Sequence, residues 1–236
     1  MLQRVIQFGH KAEIRLMDNL MRKANLAYPR ISPYRVSQRA GGKGLDAHYI
    51  SWIDRIGAIV DAERMKDAEK RFFDIILGST KSLRKTRLGD CAESSSLIMS
   101  SLLANGYKDG KIARLFFEAE ARDLSSNQVV GKKMFDTTHE FVVRHLDKGA
   151  VASDPKTYGK NLIVIDAWEG FCGNLQESFK RYYDSFWGGM REWINKDANV
   201  KITYKPKFHF CDFEAEATEK DMKLFGKEFP DLVMKK

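Results

Sequence analysis

Hydrophobic positions in the first third of the chain recur at helical spacing. Between Leu2 and about Leu26, the residues Val5, Ile6, Ile14, Leu16, Met17, Leu20 and Met21 mark the apolar stripe of a helix. The Ala27–Gly44 stretch then brings two prolines and three glycines, which predicts a loop or linker. A second helical region covers about Ala47 to Leu77, with Ile50, Trp52, Ile53, Ile56, Ile59 and Val60 in one stripe and Phe72, Phe73, Ile75 and Ile76 in another. Beyond residue 91 the pattern changes. Ile112–Phe117, Glu140–Leu146 and Asn161–Asp166 are short runs rich in Val, Ile and Phe and bounded by Gly, Asp, Asn and Ser, which predicts strands. Leu175–Ile194 reads again as helix apart from the Gly188-Gly189 break, Val200–Tyr204 and Phe208–Phe210 as late strands that pair, and Thr218–Phe225 as a terminal helix. Two helical regions, a strand cluster and a mixed tail predict an α+β fold with an antiparallel sheet. The expected division is a helical N-terminal region over residues 1–80 and a core with a mixed C-terminal tail over residues 81–236.

Composition narrows the setting. A chain of 236 residues with 43% hydrophobic content can bury a sizeable core without covalent staples. Three cysteines, Cys91, Cys172 and Cys211, do not make a disulfide framework and point to a reducing compartment where a thiol persists. No run approaches the roughly 18 apolar residues that a membrane span requires, so no transmembrane segment is expected. The N-terminus lacks the apolar stretch of a cleaved signal peptide. The net charge of +8 implies attraction to acidic surfaces, an acidic protein partner among them. Lys and Arg are nevertheless scattered through Lys81–Arg87, Lys132–Lys133 and Lys205–Lys207, and no groove-reading motif accompanies them, so specific nucleic-acid binding is not expected.

Chemistry enters at Cys91. The segment from Gly89 to Gly106 carries signals for both ends of a helix: Asp90 and Glu93 form a capping-box pattern, and Asn105-Gly106 supplies a left-handed stop. Cys91 is then the first helical residue. A thiolate there faces unpaired backbone N–H groups and the positive end of the helix dipole, which favours its ionised form. The backbone N–H of the same residue is one donor for a tetrahedral oxyanion. The alternative for any lone cysteine is a small buried hydrophobe. Serines at 94, 95, 96, 100 and 101 keep much of the helix surface slim, as in a helix packed closely on several sides.

Two further residues complete a set. Alternation along Thr138–Leu146 puts His139, Phe141, Val143 and His145 on one strand face, with His139 at the strand entry. Asp166 closes the next run. If these strands pair antiparallel, the entry of one lies beside the exit of the other, and His139 meets Asp166. A carboxylate there fixes the imidazole tautomer and leaves the second ring nitrogen for a thiol. Taken singly, His139 reads as a half-buried strand histidine and Asp166 as a turn former. His145 lies about 20 Å along the extended strand and is read as structural. His10, His48 and the His209-Phe210-Cys211 run lack the regular ligand spacing of a metal site, so no metal or other cofactor is expected. Trp168 either walls a substrate pocket beside Asp166 or fills the core.

The ordered set Gly89-Asp90-Cys91-Ala92-Glu93, His139-Glu140-Phe141-Val142-Val143 and Leu162-Ile163-Val164-Ile165-Asp166-Ala167-Trp168 resembles the transglutaminase-like branch of the papain-type cysteine enzymes. The resemblance covers about Leu88 to Gly170. It implies a core in which a central helix bearing the cysteine packs on an antiparallel sheet, and a catalytic triad of Cys91, His139 and Asp166 with Trp168 at the substrate. It also implies acyl transfer from a protein glutamine or peptide carbonyl through a thioester, as in proteases, deamidases and transglutaminases. Host-directed bacterial effectors occur among such enzymes, which implies action in the cytoplasm or, after delivery, in a host cytosol. His139-Glu140-Phe141 departs from the family's usual His-aromatic pattern, and the loop before Asp166 is longer and more charged than in compact members. The competing reading is an idle module of the same fold that docks on an acidic partner through its basic helical region.

Overall fold

The computed structural model describes residues 2–29, 72–89, 91–108, 112–130, 138–151, 154–182, 200–210 and 217–235. Most of the predicted Ala27–Gly44 loop, the second helical region up to residue 71 with His48, Asp90, Lys132–Lys133, Gly188-Gly189 and Cys211 lie outside them.

Helix α1 runs Leu2–Ala27. Of the predicted stripe Met17, Leu20 and Met21 are buried and Ile14 packs against the core, whereas Leu16 is 36% exposed, and Ala24, outside the predicted stripe, completes the buried face. Helix α2, Phe72–Thr86, buries Phe73, Ile76, Thr80 and Leu83 on one side. It carries the predicted helical pattern past Leu77, and residue 80, the expected domain limit, falls inside it. Helix α3, Cys91–Ala104, is different in kind: every residue from Glu93 to Leu103 is buried. A helix buried all round sits in the middle of its domain, and α1, α2, the sheet and the C-terminal helix all pack on it. The slim Ser94, Ser95, Ser96, Ser100 and Ser101 permit that closeness, and the hydroxyls of Ser100 and Thr80 meet at 2.7 Å between α3 and α2.

Helix α3 stops as Asn105-Gly106 predicts. Gly106 takes φ +75°, its N–H donates to Leu103 O at 3.0 Å, and Tyr107 N–H donates to Leu102 O at 2.9 Å. These two bonds are the Schellman pair, and the left-handed position suits glycine because it has no Cβ.

Among the described residues six strands form one antiparallel sheet: β1 Ala113–Asp123, β2 Val129–Val130, β3 Thr138–Arg144, β4 Ile163–Asp166, β5 Phe171–Gly173 and β6 Val200–Phe210. Strand β1 pairs with β6 along its whole length on one side and with β3 and β2 on the other. The sheet continues through β4 to β5. The two late strands of the sequence reading are in fact one: β6 runs unbroken through Pro206, which pairs with Phe117. A proline removes one ladder N–H, and a strand with a single neighbour among the described strands tolerates that loss. Val142, Ile163 and Ile165 face α1, α2 and α3 in a common core, whereas the Phe141 ring meets Phe179 of helix α4, Leu175–Tyr182, at 6.4 Å.

The C-terminal segment closes over the helices. Thr218 and Asp221 form the capping box of α5, Glu219–Glu228, which outruns the expected end at Phe225. Phe225, Phe229 and Leu232 are fully buried in the same core as α1 and α2. Asn105, just past α3, donates to Leu232 O at 2.8 Å and accepts from Met234 N–H at 2.6 Å. The fold is α+β, with one core shared by N-terminal, central and C-terminal helices and the sheet. Among the described residues no helix is long and apolar enough to cross a membrane.

Candidate active site

The pairing of β3 with β4 places Val142 opposite Ile165 and Val143 opposite Val164. Continuing that register by one step sets Asp166 opposite Phe141, so His139 lies on the diagonal from Asp166, within reach of long side chains. The two side chains meet: His139 Nε2 is 2.6 Å from Asp166 Oδ2, and both residues are about 1% exposed. An ionised carboxylate only accepts, so Nε2 carries the proton and donates. The acceptor role of the ring is thereby assigned to Nδ1.

Asp166 has two occupations. Its Oδ1 accepts from the backbone N–H of Trp168 at 3.1 Å and of Glu169 at 3.0 Å, while Oδ2 serves the imidazole. The two readings offered by the sequence, turn former and histidine partner, are both realised, one on each oxygen. The turn signal lay in the residues after the strand, Ala167 to Gly170, the last at φ +68°. The division of labour needed the register. Asn25 of α1 donates to Ala167 O at 3.2 Å and ties the turn to the helical layer.

Aromatic rings enclose the pair. The Trp168 ring lies 5.3 Å from the imidazole and that of Phe141 5.7 Å, and both residues are buried. Water is thus kept from the imidazole–carboxylate hydrogen bond, which strengthens it. Glu140, the next residue on β3, is paired with Arg114 of β1 instead.

Cys91 is the first residue of α3 and is half-buried, as a thiol and not a disulfide. The polarity of α3 follows from its far end, where Arg144, the last residue of β3, stacks on Tyr107 with its guanidinium carbon 5.2 Å from the ring centre. Helix α3 packs on β3. Fourteen helical residues and seven extended ones span similar lengths, about 21 and 23 Å. With the C-terminal end of α3 at Arg144, its N-terminal end lies toward the entry of β3, while the His139 ring shares the sheet face of Phe141 and Trp168, opposite the face that Val142 turns to α3. Gly89 shows how tightly the chain enters α3: a Cβ there would fall 2.7 Å from Glu93 Cβ and 2.8 Å from Leu83 Cδ1. Asp90, the predicted cap, lies outside the described residues.

The remaining expected residues go elsewhere. His145 leaves the alternation assigned to it, because β3 ends at Arg144 and His145 takes φ +58°. Its Nε2 pairs with Glu13 of α1 at 2.7 Å, and the same carboxylate lies 3.3 Å from Arg144, so both fasten α1 to the sheet. Cys172 is a structural thiol: Sγ donates to Ile14 O at 3.5 Å, and burial, then the charges of Asp18 and Glu13, push it up to about 12. Among the described residues no three His, Cys, Asp or Glu side chains converge as a metal site would require. Comparison of the chain with protein-family models, with curated proteins and with solved structures gives no match.

Proposed function

We propose that this protein is a cysteine-dependent acyl-transfer enzyme of the transglutaminase-like, papain-type kind, acting on a protein glutamine or peptide carbonyl. The observation that carries the reading is the buried 2.6 Å bond between His139 Nε2 and Asp166 Oδ2. A fully buried imidazole oriented by a carboxylate is the base that thiol activation needs, and the cysteine-bearing helix packs on the strand that carries it. The central α3 packed on an antiparallel sheet supports the same reading.

In this mechanism the Cys91 proton passes to His139 Nδ1 and the thiolate attacks the substrate carbonyl. The helix dipole and the Cys91 N–H stabilise the negative charge. Collapse of the tetrahedral adduct expels ammonia or an amine, which takes the proton from His139, and leaves a thioester. Water or a primary amine then adds with His139 as base, and the thiol is regenerated. Asp166 holds the ring and stabilises the imidazolium throughout. Trp168 lines the approach and excludes water. The thiol chemistry suits a reducing cytoplasm, that of a host cell if the protein is delivered there.

The competing reading, an idle module that docks on an acidic partner through Lys81–Arg87, has less support. Lys81 is paired with Glu228 at 3.1 Å, and Arg84 donates to Glu228 O at 2.8 Å while stacking on Phe229. Two of that segment's cations thus serve the fold.

The test is alkylation by iodoacetamide near neutral pH, with each cysteine-containing peptide quantified by mass spectrometry. Cys91 should label far faster than Cys172, and His139→Ala should remove the advantage. Equal labelling would sink the reading. Incubation with a protein lysate and a labelled primary amine then separates cleavage, deamidation and amine incorporation by mass.

A further inference from the structure

Resting on the reading of Cys91 as the nucleophile, we infer that Ser95 is a positioning residue whose hydroxyl is held in reserve for the Cys91 thiolate. Ser95 is 2% exposed, and its Oγ has no hydrogen-bond partner. Buried hydroxyls are ordinarily satisfied, and a helical serine has an easy solution in the carbonyl four residues back. Ser96 takes it, donating to Ala92 O at 3.0 Å. Ser95 does not take the equivalent bond to Cys91 O.

Its position explains what the hydroxyl is for. Residues four apart on a helix bring their Cβ atoms to about 5–6 Å, and helical side chains lean toward the N-terminus. Ser95 therefore stands one turn beyond Cys91 on the same side of the helix, with its side chain leaning toward the turn that Cys91 begins. A thiol is a poor acceptor and a thiolate a good one, so the bond forms when Cys91 gives its proton to His139 Nδ1. No covalent bond of Ser95 changes: its O–H turns toward the sulfur, and the ionised form is stabilised relative to the thiol. The charged groups that flank Cys91 along the chain are Lys85, Arg87, Asp90 and Glu93, and with His139 and Asp166 of the proposed site none is altered by changing Ser95.

The helix contains its own control. Ser101 is equally buried, 1% exposed, and its Oγ also lacks a partner, but it lies ten residues from Cys91. Ser95→Ala and Ser101→Ala remove the same atom from the same helix. Both should fold at least as firmly as the parent, because each deletes an unsatisfied buried hydroxyl without adding volume.

The experiment measures the rate of Cys91 alkylation from pH 5 to 10 in the full chain for the parent and both variants. Ser95→Ala should raise the apparent pKa of Cys91 by about one unit, the scale of one net hydrogen bond, and slow labelling near neutral pH by up to about tenfold. Ser101→Ala should leave the profile in place. An unchanged profile in Ser95→Ala, or equal shifts in both, overturns the inference while leaving Cys91 as nucleophile. If the parent's Cys91 titrates as an ordinary thiol, the acyl-transfer reading and this inference fall together.

Discussion

Replacing Asp166 by Asn tests whether orientation of His139 matters, because the change keeps the shape of the side chain and reverses one hydrogen bond. The carboxylate accepts three bonds, two at Oδ1 from Trp168 and Glu169 and one at Oδ2 from the imidazole. An amide oxygen can retain the first two, so the turn survives. The NH₂ group now faces His139 Nε2 and donates to it. Nε2 must then be the acceptor, the proton moves to Nδ1, and Nδ1 can no longer take a proton from Cys91. The loss in stability is about 1–3 kcal/mol, since one charge-assisted bond becomes a neutral one. The loss in activity is larger, about 10²- to 10⁴-fold, the scale on which a mis-set base acts. The assay pairs thermal unfolding with the Cys91 alkylation rate at pH 7, where Asp166→Asn should unfold cooperatively yet label slowly. A variant that is folded and labels at the parental rate would refute the claim that Asp166 activates the thiol through His139.

Three further outcomes follow from the packing. Asn105→Ala removes the bonds to Leu232 O and from Met234 N–H, along with the 2.7 Å bond to Ser101 O. It should cost about 1–3 kcal/mol and lower Tm by several degrees, read by calorimetry. Phe229→Ala empties a site with 0% exposure beneath Arg84 and Tyr28, and should cost about 3–5 kcal/mol in denaturant titration. On the alkaline side, Cys172 is held protonated up to about 12, above its ordinary value of 9.0, and burial also raises Tyr158 and Tyr28. Above pH 9 the unfolded chain releases protons that the folded chain keeps, so stability present below pH 9 is lost as pH rises toward 12. Cys172→Ser should flatten that decline between pH 9 and 12; an unchanged slope would assign it to the tyrosines.

Much of this protein is written locally. The stripe of Met17, Leu20 and Met21, the Asn105-Gly106 stop and the runs that became β3 and β4 are short-range patterns, because helix and strand periods and left-handed stops depend on residues a few positions apart, although Leu16 of the same stripe is exposed. The meeting of His139 and Asp166 was also legible, since antiparallel pairing of consecutive strands sets entry beside exit. Other features were decided only by the tertiary structure. The continuity of β6 through Pro206 rests on its place beside β1, and the departure of His145 on Glu13 far away in sequence. Neither oxygen of Asp166 could be assigned until the register was known. That two of the cations of Lys81–Arg87 meet Glu228 and Phe229 was likewise decided only by the tertiary structure. Local sequence specifies which element forms, because that competition is settled by nearby backbone and side-chain preferences. What each side chain faces is settled by contacts between residues distant in the chain, and those exist only once the core has closed around α3.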